Sequence, residues 1–226
     1  FFRIPLEGED LAQARRLFTY EQDYPGATKV ISFVVAPAPA LDSRTSERTI
    51  EFEYSGRKYS VPVKANAGMV SFASDYPQVE YAVYFRSSPS SDASSALLKA
   101  LTPLVQGKSE VDAVNLLLMF VQTGFTYQTD PDQFGREKPL FPDEALFYPA
   151  CDCEDRSILF AFLVRNLLGM EVIGLDYPGH VATAVKFSSQ IAGDRIVHNG
   201  TEYVICDPTY RYATAGMAMP VVKPHT

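Results

Sequence analysis

Hydrophobic positions change their period along this chain, and the change divides it. Ile50, Phe52 and Tyr54 alternate with polar residues, Ser55-Gly56 interrupts the run, and Tyr59, Val61 and Val63 alternate again. A period of two on both sides of a turn dipeptide predicts a β-hairpin. Residues 29–35 read as an apolar strand, and Val79, Tyr81, Val83 and Phe85 as a further alternating strand. A short helix is expected over 10–20, with loops over the proline-bearing 36–39 and the polar 42–47. After Ser87-Ser88-Pro89-Ser90-Ser91-Asp92 the period lengthens. Residues 94–106 fit one helix despite Pro103, and Ser109 with Asp112 opens a second, ending near Gly124, with Leu117, Leu118 and Val121 on its buried face. The serine-rich stretch is therefore the expected boundary between a β-rich N-terminal region, 1–92, and a second region, 93–226.

Residues 126–150 carry aspartates, prolines and aromatics without clear periodicity, which reads as a long ordered loop able to shape a cleft. The run 158–164 is apolar nearly all round and predicts a helix buried on most sides. Strands are expected over 172–175, 181–187 and 201–206, the last entered through the turn His198-Asn199-Gly200. The fold class expected from these elements is α+β.

Composition narrows the function classes. With 226 residues, 46% hydrophobic and 12% aromatic, the chain can bury one large core or two smaller ones. A net charge of -7 and a pI near 5.0, with no run of more than two basic residues, give no field for a phosphate backbone, so nucleic acid is not an expected partner. Apolar runs such as 116–121 fall far short of the roughly 20 residues of a membrane span. The start at Phe1-Phe2, without Met or a signal-peptide pattern, reads as a mature form or an excised piece, compatible with an exported or cell-envelope protein. Three cysteines do not make a disulfide framework, so the core must hold the fold.

The candidate chemistry lies between 152 and 210. Asp152 is a suitable N-cap, with Asp155 as a less usual capping-box partner, which puts Cys153 at the first helical position. Unpaired backbone N–H groups and the helix dipole there favour a thiolate and can stabilise an oxyanion. Asp152, Glu154 and Asp155 oppose the thiolate, so it is expected to depend on an ion pair with His180. His180 follows Pro178-Gly179 at the start of a strand. In the strand ending at Asp207, alternation sets Tyr203, Ile205 and Asp207 on one face, and Val204 and Cys206 on the other. If Asp207 meets His180, Cys206 points away, which counts against zinc on Cys151, Cys153, His180 and Cys206. No metal and no cofactor is expected. Cys151 and Cys206 read as core residues, and His198 and His225 as solvated. Asp130, Asp132 and Glu137 resemble pieces of a calcium loop, but with the wrong spacing, and read as a solvated loop. Tyr127 and Gln128 are candidates for an oxyanion donor from the cleft wall. Taken singly, a buried thiol, a strand histidine and an Asp-Pro turn are ordinary structural features; their order and local context set them apart.

Together, Asp152-Cys153-Glu154-Asp155 before a helix, Gly179-His180 and Cys206-Asp207-Pro208-Thr209 after a strand resemble the transglutaminase-like superfamily, over roughly residues 94–226. His180 follows Cys153 by 27 residues, and Asp207 follows His180 by 27. The resemblance implies a papain-like core, a cysteine-bearing helix packed on an antiparallel sheet. It also implies Cys153 as nucleophile, His180 as base and Asp207 as orienter, with Asp155 at a frequent acidic position. Family members often carry tryptophan after the histidine and use it on the oxyanion; here Val181-Ala182 follow, and the chain has no tryptophan. The implied activity is that of the bacterial cysteine peptidase and amidase branch, hydrolysing a peptide-like substrate through an acyl-enzyme, ahead of amine acyl transfer. The rival expectation is a non-catalytic binding or assembly module that keeps the fold.

Overall fold

The computed structural model describes residues 41–223, so the helix expected over 10–20, the strand over 29–35 and the loop 36–39 lie outside the described residues. Within them the chain is α+β. It opens with the expected hairpin, β1 (Thr45–Tyr54) against β2 (Arg57–Asn66), with Tyr54 paired to Arg57. Ser55 and Gly56, at φ 51° and 73°, form its two-residue turn, the left-handed geometry that suits the twist of the flanking strands. Part of the expected loop 42–47 joins this ladder: Thr45, Ser46 and Glu47 pair with Asn66, Ala65 and Lys64. Lys64 Nζ lies 2.7 Å from Glu47 Oε1, a cross-strand charge pair where no hydrophobic alternation marks the strand.

Four helices follow: α1 (Ala67–Ser74), α2 (Tyr81–Arg86), α3 (Ser91–Val105) and α4 (Glu110–Gly124). The segment 79–85, expected as a strand, is instead largely α2. Its burial falls on Tyr84, whose ring packs 4.6 Å from that of Phe141, while Val83 is exposed. One helical turn fits so short an apolar segment as well as a strand does. α4 starts as expected, Ser109 Oγ accepting from the Asp112 N–H at 3.1 Å.

The expected loop 126–150 resolves into β3 (Thr126–Tyr127), α5 (Asp130–Phe134), α6 (Pro142–Phe147) and β4 (Ala150–Cys151), with β3 and β4 parallel. Each is too short to leave a periodic signal. Side chains stitch the segment: the buried Lys138 ammonium meets Glu144 at 2.5 Å, and the Lys138 N–H donates to Asp130 Oδ2 at 2.6 Å. Then α7 (Cys153–Leu163) runs almost wholly buried into a π-helical turn, Val164–Leu168, closed by Gly169 at φ 65°. The chain ends its described part in an antiparallel sheet ordered β5-β6-β8-β7, from β5 (Val172–Tyr177), β6 (His180–Val185), β7 (Arg195–His198) and β8 (Thr201–Cys206). Asn199 and Gly200, both at positive φ, make the expected turn between β7 and β8.

One main core serves all of this. Ile50, Phe52, Val61 and Val63 of the hairpin share a cluster with Leu97, Leu117, Phe120, Phe160, Val185 and Cys206. The hairpin before residues 87–92 and the helices after them are therefore two walls of one core. Asp143, 2% exposed, fastens the walls: Oδ1 accepts from the Asn66 N–H at 2.7 Å and the Ser90 hydroxyl at 2.8 Å, and Oδ2 from the Ser90 N–H. Replacing Asp143 by Ala strands three half-buried donors, and about 1–3 kcal/mol of stability is expected to go with them. Urea unfolding of the two proteins side by side measures this; an unchanged midpoint would show the fastening to be idle.

Candidate active site

The start of α7 is tied down before any chemistry is considered. Asp152 takes the N-cap position in extended conformation. The Asp155 carboxylate accepts the Asp152 N–H at 3.3 Å and the Leu140 N–H at 2.6 Å, so the helix start is bonded to the segment before α6. Cys153 is the first helical residue and is partly buried. One turn on, Ser157 Oγ donates to the Val181 carbonyl at 3.1 Å. That face of α7 thus sits against the start of β6, next to His180.

Sheet register supplies the second half of the site. The β5–β6 hairpin pairs Tyr177 with His180 across Pro178-Gly179, where Gly179 adopts φ 71°. β6 pairs with β8 so that Thr183 faces Cys206 and Ala184 faces Ile205. Extending that register by one residue sets Asp207 opposite Ala182, on the sheet face it shares with His180. His180 Nε2 and Asp207 Oδ2 are 2.9 Å apart, with side chains 8% and 0% exposed. Asp207 Oδ1 accepts the Thr209 and Tyr210 N–H groups at 2.9 and 3.0 Å, which fixes the carboxylate in place. Cys206 packs in the main core.

Gln122, on the buried face of α4, clamps the turn that follows. Its Nε2 donates to the Asp207 and Ala213 carbonyls at 2.9 and 3.1 Å, and its Oε1 accepts the Tyr212 N–H at 2.9 Å. Sequence reasoning passed over this residue. The available signal was a polar side chain closing the apolar run 116–121.

The thiol is not the thiolate that its helix position suggests. Burial comes first, then the Glu154 charge, and together they push the Cys153 pKa well up, against the lowering effect of the Val181 N–H. Cys153 Sγ donates to Glu154 Oε2 at 3.1 Å, and Glu154 is 4% exposed. The expected ion pair with His180 is thus replaced at rest by a neutral thiol bonded to the neighbouring carboxylate. The same congestion reaches the other acids. Asp152 is pushed up to about 8 by burial and by Glu154, and Asp130 to about 6 by burial and by Asp152. Asp155 is also raised, by burial and then Asp152. Asp130, read from sequence as part of a solvated loop, is 2% exposed. Three overlapping groups, Asp152 with Cys153 and Glu154, Asp130 with Asp152 and Asp155, and Asp130 with Glu137 and Glu154, each bring ligand atoms within 4.8 Å, close enough to share protons or one cation.

A cavity of about 720 Å³ opens beside His180, lined also by Gly179, Tyr127, Arg156, Thr209 and Arg211. Tyr127 stays neutral, raised to about 12 chiefly by burial, so its hydroxyl remains a donor. Gln128 does not line this cavity. Tyr81 is raised by burial and then by the Glu154 charge; its place in an expected strand hid it. Comparison of the chain with family models, curated proteins and solved structures finds no match. The site is therefore read from its geometry.

Glu154 should set the reactivity of the thiol. Glu154→Gln keeps the size of the side chain and removes its charge, which lowers the Cys153 pKa and is expected to speed alkylation by iodoacetamide at pH 8 roughly tenfold, one unit of pKa. The second-order rate constant checks it; an unchanged or slower rate would contradict the electrostatic role.

Proposed function

We propose that this chain is a thiol-dependent hydrolase with a transglutaminase-like core, cleaving peptide or amide bonds through Cys153, His180 and Asp207. The observation that carries the reading is the buried His180–Asp207 bond at 2.9 Å, at the start of the strand against which the Cys153 helix is bonded through Ser157 and the Val181 carbonyl. Asp207 takes Nε2, which leaves Nδ1 as the ring nitrogen for the sulfur, and its carboxylate stabilises the imidazolium that forms.

In the proposed reaction the Cys153 proton passes to His180 as the sulfur attacks the carbonyl carbon. The tetrahedral oxyanion is met by the Cys153 backbone N–H, which has no intrahelical acceptor at the first helical position, and by the Tyr127 hydroxyl. The C–N bond breaks, and the amine leaves with the proton from His180. Water then attacks the thioester, gives a proton to His180, and the sulfur leaves and regains it. Glu154 must release the thiol for this to begin, so substrate binding is expected to disrupt that bond. Gln122 and the Asp207 turn hold the ring in orientation throughout.

The Cys153–Glu154 bond favours one rival, a binding module whose thiol is kept neutral and idle. The two readings differ in covalent capture. A peptidyl acyl probe directed at thiols is expected to label wild-type protein at Cys153, and Cys153→Ala to lose that label while keeping the same unfolding transition. Labelling that persists in the variant would remove Cys153 from the mechanism, and a wild-type protein that alkylates slowly and takes no acyl probe would leave the module.

A further inference from the structure

Two cavities open at the start of β6, and the charged side chains in their linings are of opposite sign. Along β6, consecutive side chains point to opposite faces, and His180 lines the cavity of about 720 Å³ while Val181 lines another of about 460 Å³. Tyr127 and Arg156 of α7 line the first, and Tyr81 and Val181 the second; the Val181 carbonyl accepts from Ser157 of α7 at 3.1 Å, so both cavities border the first turns of the helix that Cys153 opens.

The first cavity is lined by Arg156 and Arg211 and by no carboxylate. Arg156 is 3% exposed, and its Nη atoms donate to the Gln122 and Phe125 carbonyls at 3.3 and 2.9 Å. Its Nε has no acceptor, and among the described residues no carboxylate forms an ion pair with it. Its Nη atoms are taken by carbonyls and its face lies over the Tyr127 ring at 5.3 Å, so the guanidinium keeps its positive charge without a carboxylate partner at the cavity wall. The hydroxyl of Thr209, in the same lining, is likewise unpartnered. The second cavity has an apolar floor of Phe85 and Leu175 and carries Glu80 and Asp176, with no lysine or arginine in its lining. The Phe85 ring lies against Gly174, where an added Cβ would come within 2.8 Å of it, so this floor is fixed by a glycine.

We infer that these cavities form one charge-polarised groove across Cys153, which takes a peptide bearing an anionic side chain on the Arg156 and Arg211 side and a cationic one on the Glu80 and Asp176 side. The inference rests on the hydrolase reading above and adds to it the substrate class. Charge complementarity fixes the direction in which a chain lies across the sulfur, because the reversed peptide would set like charges together in both cavities.

The test uses a synthetic peptide library with Glu, Lys or Ala placed on either side of a central neutral stretch, with cleavage products read by mass spectrometry. Of the two oppositely charged arrangements, Glu before Lys and Lys before Glu, one is expected to be cleaved roughly tenfold faster than the other, with the Ala peptides between them. The double variant Arg211→Glu, Asp176→Lys changes two exposed positions outside the triad, and is expected to invert the order while Cys153 alkylates at the wild-type rate. Equal rates for both arrangements, or a preference that survives the reversal, overturn the groove but leave the hydrolase standing. Cleavage that continues in Cys153→Ala, or no cleavage of any peptide by wild-type protein, overturns both.

Discussion

The antiparallel register between β6 and β8 is the constraint on which the candidate site depends. Because Thr183 faces Cys206, the next residue of β8 falls on the face that carries His180, and the 2.9 Å contact between the ring and Asp207 follows from the ladder, not from any local affinity. A slip of one residue would send Asp207 to the core side and bring Cys206 to the histidine. The register is held from both ends. Ile205 and Ala182 pack in a small cluster on one face, while Val185 and Cys206 join the main core on the other. Beyond the strand, Gln122 of α4 holds the carbonyls of Asp207 and Ala213. The helix that buries the hairpin thus also holds the turn that carries Asp207.

Cys153 stands in a different balance. At the head of α7 the backbone favours negative charge, yet Asp152, Glu154 and Asp155 crowd the same turn. The carboxylates win at rest: the thiol is neutral and donates to Glu154, and two of the acids are pushed far above their usual range. Whatever relieves that crowding, a proton, a cation or a positively charged substrate group, also frees the sulfur. The acidic turn is then both a structural burden, costing solvation at a helix start, and a restraint on the reactivity of the cysteine.

Much of this was legible in the sequence, for reasons tied to particular residues. The hairpin announced itself through Ile50, Phe52, Tyr59 and Val61 around Ser55-Gly56, because one face of a half-buried ladder must alternate. Asp152 and Asp155 marked the start of α7, and the alternation in 201–206 already separated Asp207 from Cys206. What stayed hidden depended on tertiary contacts. Residues 79–85 fit two periods, and only the seat of Tyr84 against Phe141 decides for the helix. Asp130 looked like a loop acid, because nothing local shows that residues 138 and 152 fold over it. Gln122 and Glu154 were visible as residues but not as roles, since one acts on a turn some 85 positions away and the other on its own neighbour.

The central claim is that the cysteine, the histidine and the aspartate act as one unit, and a double-variant cycle tests it most directly. Rates of acyl-probe capture at Cys153 are measured for wild type, His180→Ala, Asp207→Ala and the double variant. If Asp207 acts only through the ring, the double variant is no slower than His180→Ala alone, the non-additivity expected of coupled groups. Losses that multiply, or an Asp207→Ala protein that captures the probe at the wild-type rate, would contradict the account.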